Sequence, residues 1–387
     1  MIKAEPPSLP FHTYLWKTAS RCNLNCTYCY VYNSSDNRWR DQPNFMSLET
    51  ARQTALRMRE HLEQNDKKDA SIVFHGGEPL LGGPSHLRQL VYTIADVFKG
   101  TDIKISLGVQ TNLLLFSPEI GDFLSDVGMS VGVSLDGPPE INDIYRVDHK
   151  GRPSSAKLEE KLALLTSPRY RGIFSGFLCV INIDVDPAVV TEYLLSFEPP
   201  GIDFLFPLDN HDRRPPGKEG SRFFDTPYGD WLIKSFDHWQ EHPNQTAVRI
   251  FNSIGQMICG GDTLVESLGL LPVDLVVIET NGEIEAVDSL KSTYSGATRL
   301  GYSVFHDSFD TVAGDIAVRN RQMGAQSLCQ TCQQCPVLDV CGGGYIPHRY
   351  SAERGFDNTS VYCTDLEKLI RHIHTSIITE VPALAFR

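Results

Sequence analysis

Short apolar runs alternate with segments of helical period through the first half of the chain. Leu15–Thr18, Ser71–Phe74, Lys104–Gln110, Met129–Leu135, Gly176–Ile181 and Ile202–Phe206 read as strands, being brief, apolar and bounded by turn residues. Leu48, Ala51, Ala55, Met58 and Leu62 recur at helical spacing behind Ser47, a residue suited to an N-cap. Pro118–Val127 and Pro187–Phe197 read as further helices. Repeated βα units predict an α/β fold with a parallel sheet and helices outside it. About six such units are too few for a closed eight-stranded barrel, so a partial barrel or open sheet is expected. Ligands of such sheets sit at the C-terminal ends of the strands.

Beyond residue 206 the pattern changes. Asn210–Gly220 (NHDRRPPGKEG) is polar and Pro-rich and reads as a linker or mobile loop. Thr226-Pro227 has the signature of a helix start. Leu275–Thr280, Asn281-Gly282 and Glu283–Asp288 predict a hairpin with a type I′ turn. A Cys- and Gly-rich segment follows at 329–363. The expected division is a first domain over 1–235 and a second over 236–387.

Composition narrows the classes. The 387 residues carry a formal net charge of −13, which argues against a nucleic-acid or anionic-membrane partner. The N-terminal MIKAEPPSLPFH has no apolar signal core, and no run approaches transmembrane length. A soluble cytoplasmic protein is expected. Its ten cysteines then read as metal or catalytic groups before disulfides. They cluster at 22–29 and 329–363, and only Cys179 and Cys259, expected as inert core residues, stand alone.

Cys22-x3-Cys26-x2-Cys29 offers three thiolates. On a four-iron cubane they leave one iron open, whereas four ligands make a closed electron carrier. A zinc knuckle lacking its fourth ligand is the competing reading of this spacing. Phe74-His75-Gly76-Gly77-Glu78-Pro79 directly follows a predicted strand. Its glycines permit close backbone approach to a ligand, and its carboxylate can accept hydrogen bonds from an ammonium group.

With CNLNCTYC at 22–29 and GGEP at 76–79, the chain resembles the radical SAM superfamily. The resemblance implies a partial (β/α)6 barrel. It implies a [4Fe–4S] cluster on Cys22, Cys26 and Cys29, whose open iron binds and cleaves S-adenosylmethionine (SAM). Glu78 and the backbone at Gly76-Gly77 would hold the methionine amino group, and Tyr28 would face the adenine. Thr111, Asn112, Ser134 and Asp136 end the next strands and resemble ribose-side contacts; Arg146 resembles the partner of the methionine carboxylate. Asp136-Gly137 alone also reads as an ordinary turn. A flavodoxin- or ferredoxin-like electron donor is implied as a partner.

Cys332-x2-Cys335-x5-Cys341, followed by Gly342-Gly343-Gly344 and the distant Cys363, resembles the SPASM domain, which carries auxiliary [4Fe–4S] clusters. A structural zinc site is the alternative. Tyr345 and Val287 stand where further cysteines are expected, so the outer cluster would be complete and the inner one missing or partly ligated. Cys329 is surplus and open to replacing one ligand. His348-Arg349-Tyr350 fits either substrate binding or support of the cluster. Asp288 matches a carboxylate that takes a proton from the substrate intermediate in anaerobic sulfatase-maturing relatives; a solvated strand-end cap is its bland reading.

The segments RCNLNCTYCYVYN, FHGGEPLLGG, PVDLVVIETNGEIEAVDSLK and CGGGYIPHRYSAERGFDNTSVYC further resemble the cyclophane-forming SPASM peptide maturases. That implies a ribosomally made precursor peptide as substrate and a bond between an aromatic ring carbon and a nearby Cβ. With 21 residues before Cys22, the peptide's leader is expected to bind the barrel, the SPASM region or a separate partner. Formylglycine formation in sulfatases, and thioether or epimer formation in peptides, are the alternative reactions.

Overall fold

The structure, a computed structural model, describes residues 9–220, 225–242 and 246–380; the first eight residues of the N-terminal segment read above lie outside them. The strands in chain order are β1 (Thr13–Ala19), β2 (Asp69–Gly76), β3 (Lys104–Thr111), β4 (Ser130–Ser134), β5 (Phe174–Val180), β6 (Gly201–Leu205), β7 (Ala247–Val248), β8 (Leu275–Ile278), β9 (Glu283–Glu285) and β10 (Arg299–Ser303). Two compact units interleave along the chain: Met1–Ser134 with Asn142–Gly176 and Asp274–Gln322, and Leu135–Ile141 with Phe177–Val273 and Met323–Arg387.

In the first unit the sheet runs β10-β9-β8-β1-β2-β3-β4. β1 lies between two parallel neighbours, Trp16 opposite Phe74 of β2 and opposite Ile278 of β8. A strand so placed is covered on both faces, and Tyr14, Trp16 and Lys17 are all buried. The helix Leu48–Gln64 buries Ala51, Ala55, Met58 and Leu62, and the Ser47 hydroxyl accepts from Thr50 N at 3.0 Å. A second helix, Gly83–Phe98, packs against it. Pro84 sits in its first turn, where Pro forfeits no hydrogen bond. The parallel α/β expectation holds.

The hairpin departs from expectation. β8 and β9 pair antiparallel, Ile278 opposite Ile284. The turn is longer than two residues: Glu279 N donates to Glu283 O, and Gly282 N to Glu279 O. A type I′ turn needs positive φ at both central residues. Among the described residues of the turn only Gly282, at +88°, has it, while Asn281 spends its side-chain oxygen on Glu283 N. β9 ends at Glu285, and Asp288 opens a 3-10 turn to Ser292.

In the second unit β5, β6 and β7 pair in parallel, beside helices Pro227–Glu241, Arg249–Ile258 and Cys363–Glu380. The stretch Asn210–Gly220 is pinned, contrary to its reading as a linker. His211 N donates to Tyr350 O, and Lys218 pairs with buried Asp365, which also accepts from Tyr228 N and Gly229 N. Cys179 is buried as expected, but Cys259 is exposed at the end of its helix and is no core residue.

The tightest approach in the first unit lies where β1 and β2 end. Gly76 has φ +130°, and a Cβ there would sit 2.1 Å from Ala19 O; at Gly77 it would sit 1.9 Å from the Tyr32 hydroxyl and 2.2 Å from Arg21 O. Gly76→Ala should therefore cost about 2–3 kcal/mol through overpacking and backbone strain. The check is a urea titration; a midpoint equal to that of the unsubstituted protein would refute the argument.

Candidate active site

β1 and β2 run side by side and release their chains at one edge. Gly77 N donates to Ala19 O at 2.8 Å and Glu78 N to Arg21 O at 3.0 Å. The pairing thus continues past β2 up to the residue before Cys22, and fixes the root of the Cys loop against the GGEP turn. These two amides are spent inside the protein. An ammonium group there would be met by carbonyl oxygens and the Glu78 carboxylate.

Glu78 is fully buried. Its Oε1 accepts from Thr111 Oγ1 at 2.7 Å and Leu80 N at 2.9 Å, and its Oε2 from Asn112 N at 2.8 Å. Burial raises its pKa, while these bonds and Arg146 oppose the rise. A carboxylate offers about four acceptor positions, so one remains for a ligand. Asn112 extends the brace: its Nδ2 donates to Asn23 Oδ1 at 2.8 Å and reaches Cys22 Sγ at 3.6 Å. Leu113, next in the chain, is buried with φ +65°. This conformation is disfavoured for Leu and is held by a bond from its N to Thr111 Oγ1 at 2.9 Å.

The three loop cysteines lie in mutual electrostatic reach, and none of the ten cysteines forms a disulfide. Burial, then Glu78, pushes the Cys22 thiol up to about 12; ligation of iron deprotonates such a thiol. Three sulfurs with a spare acceptor on Glu78 fit an open-iron cluster with a bound amino acid. Arg146 Nη1 donates to the Tyr28 hydroxyl at 3.0 Å, and Tyr28 packs edge-on against Tyr145 at 5.8 Å. Ser134 accepts from Gln110 Nε2 at 2.9 Å. Asp136, in the other unit, accepts from Val180 N at 3.0 Å.

Asp288 is no solvated cap. It is 5 % exposed; its Oδ2 lies 2.6 Å from Lys17 Nζ and accepts from the Tyr30 hydroxyl at 3.0 Å. Its Oδ1 lies 3.4 Å from Lys291 Nζ. Tyr30 follows Cys29 directly, so the carboxylate is tied to the Cys loop. Burial alone would raise its pKa; Lys17 and then Lys291 hold it well below the usual carboxylate range. Lys291 also meets Glu279 at 2.5 Å and Glu285 at 3.3 Å. Its ammonium sits where the three carboxylates Glu279, Glu285 and Asp288 would otherwise gather a cation. Desolvation and then Lys17 push His75 down to about 4, so it is neutral at pH 7. Sequence reasoning missed Lys17, Tyr30 and Lys291. The available signal was Lys17 itself, a lone charge inside the apolar run LWKTA.

In the second unit Cys329, Cys332, Cys335, Cys341 and Cys363 come together: Cys332 feels Cys329, Cys363 and Cys341, and Cys363 feels Cys335. The Gly343 and Gly344 amides point at the Cys341 sulfur. Gly342 serves a different close approach from the one expected of the Gly run, since its Cβ would fall 1.8 Å from Gly269 O. Val287 is a buried apolar residue, and the Tyr345 hydroxyl donates to Glu266 at 3.3 Å; neither is a ligand. Five thiols suffice for at least one auxiliary [4Fe–4S] cluster.

The family model described as the Radical SAM superfamily matches residues 16–186, the stretch that carries the Cys loop, the GGEP turn and Arg146; domains of that superfamily work with a [4Fe–4S] cluster and SAM. Over almost its whole length the chain is similar to the cysteine-type anaerobic sulfatase-maturating enzyme of Clostridium perfringens, 24 % identical across 95 % of this chain and 98 % of that one. The serine-type enzyme of Bacteroides thetaiotaomicron is 25 % identical across 95 % and 90 %. The solved structure of native anSMEcpe with bound AdoMet superposes with a TM-score of 0.81 at 24 % identity, covering 95 % of this chain and 98 % of that one. Another structure of that protein also holds the Cp18Cys peptide.

The expectation of cyclophane formation is overturned, because these end-to-end relatives are sulfatase-maturating enzymes of both types.

Replacing Cys22, Cys26 and Cys29 together by Ala should remove about four irons per chain after anaerobic reconstitution and leave about four. Iron and sulfide assays check this; an unchanged iron content would show that these residues hold no cluster.

Proposed function

We propose that this protein oxidises the Cβ of a Cys or Ser side chain in a peptide or protein substrate to formylglycine, as an anaerobic sulfatase-maturase-type radical SAM enzyme. The observation that carries the reading is Asp288, an ionised buried carboxylate bonded to Tyr30 beside Cys29. When bound, the reduced cluster and SAM supply a 5′-deoxyadenosyl radical able to take hydrogen from an unactivated C–H bond, and an auxiliary cluster supplies an electron acceptor.

In this assignment Cys22, Cys26 and Cys29 hold the first cluster. Glu78, with carbonyls of the Gly76-Gly77 turn, receives the methionine amino group, and Arg146 receives its carboxylate. Tyr28 lines the adenine side, with Thr111, Asn112, Ser134 and Asp136 toward the ribose. Cys332, Cys335, Cys341 and Cys363 hold the auxiliary cluster, with Cys329 beside them. Residues 1–235 and 236–387 remain our functional division. A flavodoxin- or ferredoxin-like protein is the proposed electron donor.

Loss of one hydrogen atom from Cβ leaves a carbon radical. Reaching the aldehyde level requires the loss of one electron and of the proton on the neighbouring oxygen or sulfur. Asp288 accepts that proton. The Ser route then ends at the aldehyde; the Cys route ends at a thioaldehyde, which water hydrolyses with release of hydrogen sulfide. Lys17 and Lys291 keep the carboxylate ionised and aimed.

Asp288→Asn should still form 5′-deoxyadenosine but lose formylglycine product by roughly 10²-fold or more, the usual scale for a general base. Both are read by mass spectrometry on a sulfatase-derived Cys or Ser peptide. The unsubstituted enzyme should replace the Cys sulfur by oxygen with loss of two hydrogens, or remove two hydrogens from Ser. Cleavage of SAM with no such product on either peptide would overturn the reading.

A further inference from the structure

Arg349 ends a short 3-10 turn, Ile346–Arg349, that follows the glycine run after Cys341. It is 5 % exposed, and its Nε and Nη1 have no hydrogen-bond partner among the described residues. The ionisable side chains acting on its charge are Cys332, Cys329 and Cys341, with no carboxylate among them. Neutral thiols do not compensate a buried guanidinium. Backbone bonds hold the turn in place: His348 N donates to Tyr345 O, Val361 N to His348 O, and Asn358 Nδ2 to Arg349 O at 2.9 Å. The cation is therefore built in beside the thiols and is not a surface group folded inward.

We propose that Arg349 donates hydrogen bonds to sulfur atoms of the auxiliary cluster held by Cys332, Cys335, Cys341 and Cys363 and thereby raises its reduction potential. The proposal rests on the auxiliary-cluster assignment above. Iron-bound thiolates and bridging sulfides provide the negative charge and the sulfur acceptors that this guanidinium lacks. One-electron reduction adds a further negative charge next to a fixed positive one, so Arg349 favours the reduced state. Hydrogen bonds to the sulfurs and local charge are established determinants of cluster potential. Arg349 is thus a positioning and tuning residue and makes no contact with the reacting carbon.

The test is an EPR-monitored redox titration of the anaerobically reconstituted full-length holoenzyme, reading the auxiliary signal as the one SAM does not perturb. Arg349→Gln should shift that midpoint to more negative potential while iron stays at about eight per chain. Arg349→Lys keeps the charge but loses the planar donors, and should shift it less. A midpoint in Arg349→Gln equal to that of the unsubstituted protein overturns the proposal and leaves the cluster assignment intact. About four irons per chain in the unsubstituted protein, or zinc in place of iron, overturns both. Should Arg349→Gln fail to retain iron, Arg349→Lys decides: a negative shift supports the proposal, and an unchanged midpoint sinks it.

Discussion

The candidate active site depends on how closely two parallel strands approach as they end. Gly76 and Gly77 leave no room for a Cβ against Ala19, Arg21 and Tyr32, and the amides of Gly77 and Glu78 close the gap with hydrogen bonds. This contact sets where the Cys loop starts and where the Glu78 side chain points. From Glu78 the order passes to Thr111 and Asn112 at the end of β3, and from Asn112 back to Cys22. The circuit is closed, so a loop with no regular secondary structure of its own is held by strand ends. The strained backbone at Leu113 is the local cost of completing it.

A second circuit is electrostatic. Lys17 projects from β1 and Lys291 from the turn after β9, and both converge on Asp288. Burying so many charges is unfavourable unless each finds partners. Here Glu279 and Glu285 share Lys291, and Arg38 takes Glu285 together with Asp36. Lys17 lies on β1 and Glu285 on β9, Glu279 directly follows β8, and Asp288 and Lys291 lie in the turn after β9, so the order of these neighbouring strands brings the charges together. Removing one member would leave its partners with fewer opposite charges in a buried setting, which ties the geometry of Asp288 to the integrity of that sheet edge.

Much of this was legible in sequence, for identifiable reasons. Strand positions followed from short apolar runs because parallel strands are covered on both faces. The Cys loop and GGEP were legible because their chemistry needs fixed local spacing. What failed was non-local. The pinning of Asn210–Gly220 depends on Asp365, far along the chain. Asp288 could not be told from a surface cap until Lys17 was placed beside it. The hairpin turn went wrong because Asn281 used its side chain locally instead of adopting positive φ. The reaction itself was misread because the cofactor motifs are shared by enzymes whose products differ.

The charge environment of Asp288 bears on the order of events in the proposed reaction. A carboxylate clamped by two ammonium groups is a weak base. It does not deprotonate an ordinary thiol, with a pKa of about 8.5, still less an alcohol. The substrate therefore keeps its proton until the Cβ radical has formed. Loss of the electron from that radical makes the O–H or S–H strongly acidic, and only then does Asp288 suffice. A stronger base would ionise a Cys substrate before hydrogen abstraction and place a thiolate beside the same two lysines, competing with Asp288 for them. Low basicity thus keeps proton transfer behind electron loss. Lys17 and Lys291 enforce it by holding the Asp288 carboxyl well below the usual carboxylate range, and so ionised at neutral pH.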